Sequence, residues 1–199
     1  MRLLAGLLSL CLVAPLFAGE FNKKLNIGDN APAWKNLPGV DGKNHSLADI
    51  KDRDYVVVIF TCNSCACSEE YEDRIVAFTQ KYADRVAVVA INVNTIPEDK
   101  LDAMKKKAAK KKFTFPYLYD ETQQIARDYG ATYTPEFFVL NKERKIAYMG
   151  AMDDKTNVTE VKDKYLEAAT DAILAGKTPP KAETVARGCL IRFKRVRVD

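Results

Sequence analysis

The sequence predicts an α/β fold in which helices cover both faces of a mixed sheet, and three observations carry that prediction. The run Val56-Val57-Val58-Ile59-Phe60 is short, unbroken and β-branched, as a central strand buried on both faces requires. After it, Tyr71, Ile75, Phe78 and Tyr82 recur at spacings of four, three and four, which gives a helix with one apolar stripe suited to packing on that strand. A second apolar run, Val86 to Val93, then repeats the strand signal.

The 199-residue chain is short enough for one domain and long enough to bury a full core. Its first residues read as a secretory signal: Met1-Arg2 supplies charge, Leu3 to Phe17 the apolar stretch, and Ala18 or Gly19 a small residue at the cut. The stretch is shorter than the roughly 20 residues of a spanning helix, and Pro15 interrupts it. Residues 1–18 are therefore expected to be removed, which places the mature protein in the periplasm or outside the cell, with no stable membrane span. Residues 19–180 are assigned to the domain and 181–199 to a C-terminal tail. Cys11 falls in the signal and is read as a hydrophobe.

Residues 20–26 are polar and are expected to be poorly ordered. Trp34 is read as a packing residue, Asp41-Gly42 as the turn of an N-terminal β-hairpin, and Ser46 with Asp49 as the cap of a short helix. His45, the only histidine, has no partner at a diagnostic spacing and is read as a surface residue, which excludes a multi-histidine metal site. Pro97 fits the first turn of a helix that ends in the run Lys105 to Lys112, taken as a solvated face. A strand over Phe115 to Tyr119 and a helix from Glu121 to Tyr129 closed by Gly130 follow. Strands 137–140 and 146–149 form an antiparallel hairpin around Asn141 to Arg144, and a final helix is expected from Val158 to Leu174. Asn157, which also heads an Asn-x-Thr sequon, is read as its cap with Glu160. In the tail, Cys189, Ile191 and Phe193 alternate with Leu190, Arg192 and Lys194, the pattern of an edge strand with Cys189 turned inward.

The formal charge is +4, and loss of Arg2 with the signal leaves about +3. Basic and acidic residues are interleaved, so nothing points to nucleic acid. Of five cysteines, four remain in the mature chain: Cys62, Cys65, Cys67 and Cys189. Three of them cluster at the strand-to-helix junction, which favours chemistry over stapling. Cys62 is expected at or just before the helix N-terminus, where unpaired N–H groups favour a thiolate, with Cys65 close enough to resolve a mixed disulfide. Cys67 follows the helical stripe and is read as a small core hydrophobe, with a redox role as the alternative. A zinc site from all four is conceivable, but Cys189 lacks the paired spacing of such sites, so no metal and no cofactor are assigned.

Two features carry a family resemblance. The segment Phe60-Thr-Cys-Asn-Ser-Cys65, continuing to Tyr71-Glu-Asp-Arg-Ile75, and the downstream Tyr129-Gly-Ala-Thr-Tyr-Thr-Pro-Glu-Phe137 resemble the thioredoxin-like superfamily. Within it they are most similar to the redoxin branch grouped with alkyl hydroperoxide reductase and thiol-specific antioxidant proteins. The resemblance implies a thioredoxin-like sandwich in which Pro135 follows a cis bond, faces the cysteine pair, and with Thr134 holds an extended substrate. In peroxiredoxins a Thr-x-x-Cys motif occupies this loop, so Cys62 takes the threonine place and peroxidase chemistry would fall to Cys65. Thioredoxins carry Trp before the first cysteine and Gly-Pro within the pair, where this chain has Thr61 and Asn63-Ser64.

Three functions stay open: a secreted thiol-disulfide oxidoreductase acting on protein or small-molecule disulfides with a redox partner protein, a peroxiredoxin-like thiol peroxidase acting on peroxides, and a non-enzymatic cysteine or metal-binding protein. Cys189 is expected to serve as an auxiliary redox thiol able to form a disulfide with one cysteine of the 62–67 cluster, the alternative being a buried free cysteine on an edge strand. It is the one mature cysteine outside the cluster, its strand pattern turns it inward, and similar redoxins carry a Gly-Cys in the tail, while the length of the loop is no obstacle to closure.

Overall fold

A computed structural model describes residues 19–195. The segment expected to be a signal, residues 1–18 with Cys11, and the last four positions of the tail lie outside the described residues. The chain begins with a small hairpin, β1 (Leu37–Pro38) and β2 (Asn44–His45), closed through Gly42 as the Asp-Gly signal requires. The Asp49 side chain accepts the Ser46 N–H at 2.9 Å, capping a single 3₁₀ turn. The alternation of strands and helices follows: β3 (Tyr55–Thr61), α1 (Ala66–Tyr82), β4 (Val86–Asn92), α2 (Leu101–Lys111), β5 (Tyr117–Tyr119) and α3 (Gln124–Tyr129). The remainder is β6 (Tyr133–Thr134), β7 (Glu136–Leu140), β8 (Ile146–Gly150), α4 (Tyr165–Leu174) and β9 (Cys189–Leu190).

The central sheet has the order β5-β4-β3-β7-β8. β3 pairs in parallel with β4 and antiparallel with β7, so the sheet is mixed, as expected. Its residues divide by alternation between two cores. Val57 and Ile59 pack under Tyr71, Ile75, Phe78 and Tyr82 of α1, together with Met104 of α2 and Leu166 of α4. Val56, Val58 and Phe60 face Trp34, Tyr129 of α3 and Ile191 of the tail. Trp34 is a packing residue, and His45 sits at the surface, hydrogen-bonded to Asp41.

Within the fold, the structure departs from expectation in how residues 20–26, the lysine run, the last helix and the tail are held. Residues 20–26 are held in place: Asn22 and Leu25 are buried, and the Glu183 carboxylate accepts the N–H groups of Glu20, Phe21 and Asn22. Glu183 is far away in sequence, so local composition gave no sign of it. The lysine run is less solvated than expected, because Lys107 and Lys111 both reach the buried Glu72, at 2.6 and 3.0 Å, and clamp α2 to α1. The last helix starts at Tyr165. The Asn157 cap closes only one 3₁₀ turn, and the Asp154 carboxylate then takes the Lys162 and Asp163 N–H groups, leaving that stretch extended. Finally, the tail adds only an isolated bridge, Glu183 beside Met149, to the edge of the main sheet; β9 pairs instead with β6, Thr134 opposite Cys189.

Candidate functional site

β3 ends at Thr61, and the chain makes a short loop, Cys62-Asn63-Ser64, before α1 begins with Cys65 as its N-cap. The loop is held by Asp99, whose carboxylate is fully buried. It accepts the Asn63 N–H at 2.5 Å, the Ser64 N–H at 3.2 Å, the Ser64 hydroxyl at 2.5 Å and the Asn92 amide at 3.2 Å. Around it, Asn63 donates to the Glu98 carbonyl, Tyr117 donates to Asn63 Oδ1, and Lys107 Nζ donates to the Asn63 carbonyl at 2.9 Å. A buried carboxylate facing several donors is compensated, and it fixes the backbone on which both thiols are mounted.

Facing this loop is Thr134-Pro135, joined by a cis peptide bond. Cys62 Sγ lies 3.2 Å from Thr134 Oγ1 and 3.7 Å from Ser68 Oγ, and the Cys65 thiol donates to the Thr134 carbonyl at 3.4 Å. The four residues expected at the site, Cys62, Cys65, Thr134 and Pro135, are thus together. Glu136 follows at once; its buried carboxylate accepts the Thr132 and Tyr133 N–H groups at 2.8 and 3.0 Å, and burial pushes its pKa up to about 7.

The N-terminal position of the helix, expected for Cys62, belongs to Cys65. The neighbouring Cys62 thiol holds the Cys65 thiol well below its ordinary pKa, assisted by Cys189 and the Ser68 N–H against the cost of burial. Cys62 is raised in turn, by Cys65 beside it and by desolvation. Both sulfurs are on buried residues, 2% and 6% exposed, whereas Cys67 is half-buried and Cys189 exposed.

The tail completes the site. The Sγ atoms of Cys65, Cys67 and Cys189 all lie within 4.8 Å of one another, and Cys62 does not join that group. Cys67 therefore faces the tail strand instead of the core, and Cys189, expected inward, remains solvent-exposed while its neighbour Ile191 is buried. The approach depends on Gly188: a Cβ built there would stand 2.2 Å from the Thr134 carbonyl oxygen. Asp99, Ser68, Glu136 and Gly188 were not marked by sequence reasoning as functional; the signals at hand were the Gly-Cys pair in the tail and the acidic residue directly after Thr-Pro.

Among the described residues no helix is long and apolar enough to cross a membrane. Comparison with known proteins places the site in context. A family model described as Redoxin matches residues 26–165. A protein of Mycobacterium tuberculosis H37Rv named as a peroxiredoxin is 31% identical over 114 residues, 54% of this chain and 66% of that protein. The thiol-disulfide oxidoreductase ResA of Geobacillus thermodenitrificans is 27% identical over 135 residues, 66% of this chain and 74% of the relative. A crystal structure of an uncharacterized conserved protein from Geobacillus kaustophilus superposes with a TM-score of 0.82 at 34% identity, covering 88% of this chain and 96% of the other. With the mixed five-stranded sheet, the cysteine loop and the cis-proline segment in their places, the chain belongs to the Redoxin family.

Proposed function

We propose that the protein is an extracytoplasmic thiol-disulfide oxidoreductase, freed of residues 1–18 on export, in which Cys65 is the attacking sulfur and Cys62 its partner. The observation that supports this most directly is the placing of both thiols against Thr134, with Cys65 as the N-cap of α1. The Cys65 thiolate attacks a substrate disulfide, one half of the substrate leaves as a thiolate and takes up a proton, and a mixed disulfide remains on Cys65. Cys62, or Cys189 from the tail, then attacks Cys65 Sγ and releases the second half as a thiol. Two protein thiols become one disulfide while one substrate disulfide becomes two thiols; a redox partner protein returns the enzyme to its starting state. The backbone of Thr134-Pro135 orients an extended substrate beside the pair.

Insulin reduction and exchange with glutathione test this reading. Wild-type protein is expected to catalyse both, and Cys65→Ser to lose both; a wild-type protein inactive in both assays contradicts it. A second reading is favoured by one observation, the N-terminal helix position of Cys65, in a chain similar over 114 residues to a protein named as a peroxiredoxin. There hydrogen peroxide converts the Cys65 thiolate to a sulfenic acid with release of hydroxide, and a neighbouring thiol condenses with it to give a disulfide and water. Stopped-flow mixing with hydrogen peroxide separates the two, since a rate no faster than that of a free thiol removes the peroxidase.

A further inference from the structure

We propose that Cys65, Cys67 and Cys189 of the reduced protein form a three-coordinate site for a soft monovalent cation, Cu(I). The inference does not depend on the exchange reaction; it starts from three sulfurs mutually within 4.8 Å, two from the first turn of α1 and one from β9. A first-row d¹⁰ ion binds thiolate sulfur at roughly 2.3 Å, so a trigonal plane around it sets the sulfurs ~4.0 Å apart. Small side-chain rotations are enough to bring the three from their present spacing to that one.

The donor set selects the ion. Three thiolates with no histidine and no carboxylate in the group suit Cu(I), whereas structural zinc sites are almost always tetrahedral with four protein ligands. Cys62, the remaining described cysteine, lies against Thr134 and Ser68 and is not among the three sulfurs that approach one another within 4.8 Å. Binding changes no oxidation state: Cu⁺ replaces whatever protons the three sulfurs still carry, which pass to solvent, and a tris-thiolate complex results. The complex carries two negative charges, and it sits where α1 presents its unpaired N–H groups, since Cys65 is the N-cap and Cys67 lies in the first turn. Access is open as well. Cys189 is exposed and Cys67 half-buried, so a metal carried by a small chelator can be handed over at the rim without opening the core.

The test is an anaerobic titration of the reduced mature protein with Cu(I) in competition with bicinchoninate, followed by X-ray absorption of the loaded protein. One Cu(I) per chain and three sulfur neighbours at roughly 2.3 Å are expected. Cys67→Ser and Cys189→Ser should each weaken binding at least 100-fold; both residues lie at the rim, so neither substitution disturbs the core. Cys62→Ser should leave affinity within a few-fold of wild type. Unaltered binding in Cys67→Ser or Cys189→Ser would overturn the proposal, as would a two-sulfur environment lost in Cys62→Ser, which would mark a dithiol site on the Cys62–Cys65 pair. A parallel titration with Zn²⁺ is expected to be outcompeted by Cu(I); retention of zinc against an equal concentration of Cu(I) would also overturn it.

Discussion

Asp99 shows how much of the chemistry is held by one side chain that touches no substrate. It gathers two backbone N–H groups, a hydroxyl and an amide, so its removal leaves buried donors unpaired in the loop that carries the thiols. Asp99→Ala is expected to cost about 3 kcal/mol in chemical denaturation and to slow disulfide exchange on the order of 10- to 100-fold. Glu136 makes a different prediction. Its folded pKa of about 7 lies above the ordinary glutamate value of 4.5, so between those limits the folded state binds more protons than the unfolded one. Stability from this group is therefore fully present below the lower value and lost as pH rises through about 7. Glu136→Gln keeps an acceptor for the Thr132 and Tyr133 N–H groups and removes the charge. Relative to wild type, it should gain on the order of 1 to 3 kcal/mol at pH 8 and little near pH 4, read from denaturation midpoints at the two pH values. Neither residue was legible in the sequence. Asp99 serves a loop 35 residues earlier in the chain, and the burial of Glu136 follows from β7 lying between β3 and β8, which no local pattern records.

At the scale of elements, legibility followed periodicity. β3, α1, β4, β7 and β8 were each readable from a run of apolar residues with one period, and each supplies buried residues to one or both of the two cores. β6, of two residues, carried no such signal, and β9, readable from its alternation as an edge strand, gave no sign that its partner is β6; the two pair where Gly188 lets the tail backbone approach Thr134. Ile191 then anchors the strand, its N–H donating to the Thr132 carbonyl at 2.8 Å and its side chain buried. Gly188→Ala places a methyl group against main-chain atoms that cannot rotate away, an overpacking worth about 1 to 3 kcal/mol. The expected outcome is separation of β9 from β6: faster hydrogen exchange at the Ile191 amide and a lower yield of Cys65–Cys189 disulfide under oxidation, with the Cys62–Cys65 disulfide retained. Unaltered exchange at Ile191 would show that the tail is held by other contacts.

For the whole molecule, the site is a junction of three parts of the chain far apart in sequence: the loop after β3, the Thr134-Pro135 segment before β7, and the tail. The first two were legible because strand, cysteine pair and Thr-Pro occur together in one family; the third was legible as an edge strand carrying an auxiliary thiol, with no sign in it of the pairing with Thr134. Their meeting gives Cys65 a thiol neighbour on either side, Cys62 within the loop and Cys189 at the surface. The central claim is that exchange runs through Cys65 and that either neighbour can resolve it. Peptide mapping of cysteine variants after reaction with oxidised glutathione tests this most directly. Cys62→Ser should yield a Cys65–Cys189 disulfide, and Cys62→Ser combined with Cys189→Ser should leave glutathione bound to Cys65. Glutathione found on the exposed Cys189 or on Cys67 in the Cys62→Ser protein, with Cys65 still a free thiol, would contradict the account.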